Sequence, residues 1–266
     1  MDVTDVTLTY VFDNDSGHAI EQHRCLSEAY DPITLARLGE TGVCDGWACL
    51  EVGAGGSGVA QWLAARVAPT GSVLATDIKT GHLASGPGLT VLRHDIVRDP
   101  LPRADFDLIH ARLVLQHLPE REAVLRKLAR ALKPGGWMQI DEFDISYGPV
   151  LLAPDARSAE LYEKFLAAKE KTFTMAGGDG TWGRRAAASM AAAGLVDVDP
   201  VPVLFPWRAG SPGLNLLIHH THHLRDKLIA AGLTDDELAE VRAVMADPGF
   251  RASSCVVYSV HGRRAG

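Results

Sequence analysis

The sequence has no basic run longer than the pairs Arg184-Arg185 and Arg263-Arg264, and its formal net charge is −7 at pH 7. A phosphate backbone is held by clustered Lys and Arg, and an acidic protein meets it with long-range repulsion. A nucleic-acid partner is therefore disfavoured. No uncharged apolar stretch approaches the ~18 residues that span a bilayer, so no membrane partner is expected. The opening MDVTDVTLTY is acidic and polar, without the basic and apolar regions of a secretory signal. The four cysteines, Cys25, Cys44, Cys49 and Cys255, form no CxxC pair and have no histidine at zinc-finger spacing. Scattered free thiols are the simpler reading, so a cytoplasmic address is expected and no structural metal. Repeats and low-complexity tracts are also absent, which leaves an ordinary globular chain.

What is present is enough for a large core: 266 residues, 47% of them hydrophobic, as one domain or a domain with a cap. Apolar segments of strand length alternate with helical patterns, the signature of βαβ units and a parallel sheet. Strands are expected at residues 48–52, 72–77, 89–94, 106–110, 137–143, 196–205 and 255–261. Helices begin near Ser57 and Pro119, the second ending in Lys133-Pro134-Gly135-Gly136, a strong stop signal. Three pieces stand outside the alternation. One is an N-terminal arm, residues 1–44, with a helix that breaks at Asp31-Pro32 and restarts to Leu38. The others are insertions at about 146–193 and 208–250 within residues 45–266. The last holds a helix over residues 214–231, a stop at Gly232 and a capping box of Thr234 and Glu237. Together the three are expected to cap the edge of the sheet.

The most informative segment is CLEVGAGGSGVAQWLA, residues 49–64, in which Gly53, Gly55 and Gly58 fit G-x-G-x-x-G between a strand and a helix. Glycine lets the backbone turn tightly and approach a ligand with no Cβ in the way. Asp77 ends the next strand, nineteen positions after Gly58, where a carboxylate can accept both hydroxyls of a ribose. To this point NAD and S-adenosylmethionine fit equally. Two carboxylates separate them. Glu51, two residues before the first glycine, suits a ligand with a free ammonium group and would repel a pyrophosphate. Asp95, closing the third strand in VLRHDI, can accept from an adenine amino group while Ile96 packs on the ring. The same residues also have plainer uses: Asp95 as a helix cap, Glu51 as the partner of a backbone amide, Asp77 as a turn residue.

In this order the segments resemble the class I methyltransferase family. The Glu51-x-Gly-x-Gly loop is similar to its first motif, Asp77 to its acidic ribose position, and HDI at residues 94–96 to its adenine-binding turn. FDLIHARLVLQHLPERE (106–122) and LKPGGWMQIDEFD (132–144) are similar to its fourth strand with the following helix and its fifth strand. The resemblance covers about residues 45–144. It implies a doubly wound α/β fold with a seven-stranded, mostly parallel sheet, the last strand antiparallel, under a helical cap. It implies S-adenosylmethionine as cofactor, bound by Glu51, Gly53, Ala54, Gly55, Gly58, Asp77, Ile78, Asp95 and Ile96. Arg112 either touches the cofactor or bridges to the cap. The chain also resembles the small-molecule branch, in which an aromatic arm such as Tyr10-Val11-Phe12-Asp13-Asn14 closes on the cofactor.

Methyl transfer from a sulfonium is an in-line displacement helped mainly by alignment and water exclusion, so a base is needed only when the nucleophile must lose a proton. His117, after the fourth strand, is one candidate. His219, His220 and His223, on one helix of LIHHTHHLRD, are the others, against readings as a helix cap, a metal site without a nearby HxxE or Cys pattern, or a solvated or dimer-facing surface. Glu142 and Asp144 could also face a substrate. The aromatic residues Phe143, Tyr147, Tyr162, Phe173, Trp182, Phe205 and Trp207 fall in or near the outlying pieces. Such a set suits a planar acceptor, an indole or phenol from natural-product chemistry, methylated on carbon or oxygen. The rivals are an NAD(P)-dependent oxidoreductase, which leaves Glu51 and Asp95 without a task, and a cofactor-binding regulator without turnover. Apolar surface on the arm and cap is compatible with a homodimer.

Overall fold

A computed structural model describes residues 19–81 and 83–266. The chain enters through helix α1 (Ala19–Glu40) and then alternates strand and helix: β1 (Ala48–Val52), α2 (Gly58–Val67), β2 (Ser72–Asp77), β3 (Leu89–Arg93), β4 (Phe106–Arg112), α3 (Arg121–Ala131) and β5 (Leu132–Asp144). After β5 come β6 (Val150–Leu152), α4 (Ala156–Met175), α5 (Ala186–Ala192), β7 (Leu195–Val203) and β8 (Pro206–Arg208). The chain then forms α6 (Pro212–His223), α7 (Arg225–Ala230), α8 (Asp235–Ala246), β9 (Arg251–Ser253) and β10 (Val256–Arg264). The main sheet has seven strands in the order β3-β2-β1-β4-β5-β10-β7. Strands β1 to β5 run parallel, and β10 lies antiparallel between β5 and β7. The chain winds one way from β1 to β3 and the other way from β4. The switch point between β1 and β4 opens a crevice at the carboxyl ends of the strands, where ligands bind open α/β sheets.

Strand alternation sends one set of side chains to each face. Leu50, Val52, Ile109, Met138 and Ile140 bury one face against α3 and α5. Cys49 and Leu108 bury the other against α1 and α2. On this second face one row turns polar. Register sets Glu51 beside His110, His110 beside Gln139, and Gln139 beside His261. The C-terminal half of α1 covers that row.

A third apolar cluster unites the outlying pieces: Cys25 and Tyr30 from α1, Phe165 from α4, Leu217 from α6, Val241 from α8, and Phe250. A small sheet, β6-β9-β8, ties them to the main body. Among the described residues no helix is long and apolar enough to cross a membrane.

Several local expectations change. The break at Asp31-Pro32 does not occur, for α1 runs through Pro32. Proline removes one i→i−4 hydrogen bond, but tertiary contacts hold both sides of the lesion. Tyr30 packs on Phe143 and Phe205, with ring centroids at 5.0 and 5.7 Å, and Asp31 pairs with Arg112 at 2.7 Å. The single helix expected over residues 214–231 divides at Leu224 into α6 and α7. The capping box of Thr234 and Glu237 forms as expected. The small sheet was not anticipated, because three-residue strands carry too few positions for a period.

Candidate active site

The crevice above β1 and β4 deepens into a cavity of about 230 Å³ that runs from the glycine loop to the cap. Glu51, Gly53, Ala54, Gly55, Asp77, Ile78, Asp95, Ile96 and Arg112 all line it. Gly53 and Gly55 have φ of +65° and +49°, the left-handed region that favours glycine. A Cβ on Gly53 would stand 2.4 Å from Val114 Cγ2. The loop is thus wedged against the segment after β4, and only hydrogen fits. Gly58 does not line the cavity. It opens α2, and a Cβ there would lie 2.7 Å from Asp31 Oδ2, so the third glycine admits α1.

The acidic residues are already engaged. Asp77 accepts the Gly55 amide on Oδ2 and the Lys79 amide on Oδ1, each at 3.0 Å. Asp95 Oδ1 closes the turn after β3 by accepting from Val97 and Arg98, at 2.9 and 3.3 Å. Arg112 pairs with Asp31 and donates to Thr34 Oγ1 at 3.1 Å, bridging β4 to α1 while still lining the cavity. Tyr10 and the aromatic arm lie outside the described residues.

Beneath Glu51 stands a buried polar network. His110 contacts Glu51 Oε2 through Nδ1 at 2.7 Å and Asp141 Oδ2 through Nε2 at 3.3 Å. Burial alone would lower its pKa, but the two carboxylates outweigh burial and raise it to about 9. Burial would likewise raise Asp141, yet hydrogen bonds, chiefly from His110, hold it at about 2. Thr34 Oγ1 donates to Asp141 at 2.7 Å, and the Gln139 amide donates to both of its oxygens. An imidazolium between two carboxylates leaves one net negative charge at the end of β1. The network also fixes where Glu51 points: Oε2 faces His110, and the residue lines the cavity with its other oxygen unbonded among the described residues.

Of the candidate bases, His117 and His220 reach the cavity, and His219 and His223 do not. His223 instead meets Gln22 Oε1 at 2.8 Å, because the helical step that turns His220 inward aims it at α1. Burial pushes His117 down to about 3 and His220 well below the usual imidazole range. Both are neutral at neutral pH. His117 also packs edge-on against Phe173, centroids 4.7 Å apart.

Glu142 is excluded from the cavity. It is wholly buried, and its Oε1 accepts the Val114 and Leu115 amides at 3.1 and 2.8 Å. Asp144 pairs with Arg184 and accepts from Ser146. Among the aromatic residues, Phe143, Phe173 and Trp207 line the cavity, while Trp182 is core and donates to Glu122.

Residues 50–140 match the family described as methyltransferase domain. Methyltransferase str2 of Strobilurus tenacellus is 40% identical over 97 residues, which cover 36% of this chain and 35% of that protein. The ubiquinone/menaquinone biosynthesis C-methyltransferase UbiE of Laribacter hongkongensis is 30% identical over 158 residues, 52% of this chain and 65% of that one. The chain thus matches less than two thirds of the length of either relative. Phosphoethanolamine N-methyltransferase 2 of Haemonchus contortus, solved with phosphomonomethylethanolamine and S-adenosylhomocysteine, superposes with a TM-score of 0.52. Its identity is 17%, over 87% of this chain and 52% of that one. The fold is that of a class I methyltransferase. In this methyltransferase fold, residues 50–140 run from β1 into β5, so the cap lies almost wholly outside the matched region.

Among the cavity and subcavity residues that sequence reasoning missed are His110, Tyr30, Lys169 and Cys255. His110 carried a signal, a histidine inside an otherwise apolar strand, but its partner depends on sheet register. The other three come from α1, α4 and the residue just before β10, and no local pattern links them.

Proposed function

We propose that this chain is an S-adenosylmethionine-dependent methyltransferase acting on a small, flat, aromatic-type acceptor. The observation that carries the reading is the continuity of one cavity from the glycine loop to the aromatic cap. The Gly53 wedge, where a single Cβ would collide with Val114, fits a loop kept open for close backbone approach. The carboxylate set fits the ligand as well, with net negative charge where an ammonium group would sit.

Bound S-adenosylmethionine supplies a methyl group on a sulfonium sulfur that leaves as a neutral thioether. The chain's own residues do the rest. Glu51, oriented by His110, holds the amino-acid end, Gly53 to Gly55 admit the backbone-hugging part, Asp77 takes the ribose hydroxyls, and Asp95 with Ile96 takes the adenine. Tyr30, Phe143, Phe173 and Trp207 exclude water and align a planar acceptor, which is where much of the acceleration of a displacement resides. Neutral His117 and His220 are the two candidates to accept a hydrogen bond or proton from that acceptor. We further read α1 with residues 146–193 and 208–250 as a lid over the site. UbiE is named as a C-methyltransferase of ubiquinone/menaquinone biosynthesis, which supports a carbon acceptor in a small molecule, and the net charge of −7 disfavours nucleic acid.

Thermal-shift titrations test the cofactor. S-Adenosylhomocysteine at about 100 times its dissociation constant should stabilise the protein by ~2.7 kcal/mol and raise Tm, and NADH should not. The reverse would make the chain an oxidoreductase.

A further inference from the structure

The cap end of the cavity holds polar groups that the cofactor does not need. Tyr30 comes from α1, Lys169 from α4, His220 from α6, and Cys255 immediately precedes β10. Around them the wall is apolar and aromatic, with Phe143 and Trp207 nearest in kind to a ring-stacking surface. A lysine in such a wall normally finds a carboxylate. Lys169 makes no ion pair among the described residues, and its ionisable neighbours are the Cys255 thiol and His220. The thiol, pushed by burial up to about 11, is neutral. His220 is neutral too. Glu170, the next residue along α4, faces the small side pocket that Lys169 separates from the main cavity, and it does not pair with Lys169. The Tyr30 hydroxyl is also buried, 1% exposed, and among the described residues it meets no oxygen or nitrogen acceptor, only the weakly accepting Cys255 thiol. A lysine amine, whose pKa burial lowers, and a tyrosine hydroxyl therefore both line an apolar, aromatic cavity, with no carboxylate paired to the lysine among the described residues.

We propose that the cap end of the cavity binds an acidic hydroxyl of the acceptor, a phenol or enol, in its anionic form, with Lys169 as the cation and Tyr30 as the hydrogen-bond donor. This rests on the methyltransferase reading and narrows its substrate class. The anion is the useful form: with its proton released to solvent on binding, an enolate or phenolate attacks through oxygen with no further base, and through the adjoining carbon with that carbon's proton lost afterwards to solvent or a cavity histidine. An acceptor that arrives as the anion needs no strongly basic side chain, which accords with the neutral histidines of the cavity. Charge-assisted hydrogen bonds in a site of low dielectric are the strong ones.

The test uses 4-nitrophenol, whose phenolate band reports its ionisation, titrated into the full chain saturated with S-adenosylhomocysteine. The band should grow on binding at a pH where free probe is mostly protonated. The neutral analogue 4-nitroanisole should bind about tenfold more weakly or worse. Lys169→Met should lose that preference and the band together, and Tyr30→Phe should lose part of both. Homocysteine-nucleoside affinity should stay unchanged in Lys169→Met, which certifies that the variant folds and separates this inference from the cofactor reading. If wild type binds 4-nitroanisole as tightly as 4-nitrophenol, or binds 4-nitrophenol without the band, the proposal is wrong. It is equally wrong if wild type shows no saturable binding of 4-nitrophenol, or if Lys169→Met leaves the preference intact. Failure of S-adenosylhomocysteine to bind wild type would instead overturn the cofactor reading.

Discussion

Glu142 concentrates the residue-scale energetics of the site. Its side chain is fully buried, and burial drives its pKa up to about 8 despite the amides of Val114 and Leu115 on Oε1. A carboxyl whose folded pKa lies above its unfolded value of 4.5 favours the folded state below pH 4.5. That advantage is lost as pH rises through about 8. Gln has no proton to lose and keeps an oxygen for the two amides. Glu142→Gln is therefore expected to gain on wild type between about pH 5 and 8, by on the order of 1–3 kcal/mol, read from urea midpoints. Parallel pH profiles would contradict the assignment. Glu142 also shows what single residues disclose. Its position after a strand end suggested a substrate-facing acid, but side-chain alternation along β5 sends it to the opposite face from Asp141. The places of Glu51 and Asp77 on the cavity wall were legible because they are set by distance along the chain from the glycines. His110 and Asp141 were not, because their partners sit on neighbouring strands whose register emerges only on folding.

At the scale of elements, the glycine loop and the segment after β4 form one unit. Gly53 touches Val114, Glu142 anchors Val114 and Leu115, and His117 ends the same turn. Gly53→Ala would set a methyl 2.4 Å from Val114 Cγ2 at a φ of +65°. The segment carrying Gln116 and His117 must then shift, and S-adenosylhomocysteine affinity should fall at least about tenfold even where circular dichroism shows a folded sheet. Unchanged affinity would mean that the loop does not cradle the ligand. Strand and helix alternation, and even the Thr234 capping box, could be read in advance, since each is written in periods and caps of local sequence. The continuity of α1 could not. Local chemistry at Asp31-Pro32 predicts a break, and long-range contacts from Arg112, Phe143 and Phe205 override it.

Across the whole molecule, a matched core and an unmatched cap divide the labour. Residues 50–140 carry the match to the methyltransferase domain family, while α4, α6 and a few residues of α1 line the cavity outside that span. The fold class was readable because the order of motifs along β1 to β5 is itself a topology. The far end of the cavity was not, since Tyr30, Lys169, His220 and Cys255 line one cavity only when the arm and the two insertions pack together against the start of the last strand. At the other end, a carboxylate held by a buried imidazolium is proposed to read the ammonium group of the ligand. Isothermal titration of S-adenosylhomocysteine against 5′-methylthioadenosine, which lacks the amino-acid moiety, measures this directly. Wild type should prefer S-adenosylhomocysteine by about 10- to 100-fold, and Glu51→Gln should lose most of that preference. Equal affinity of wild type for the two ligands, or an undiminished preference in Glu51→Gln, would contradict the account.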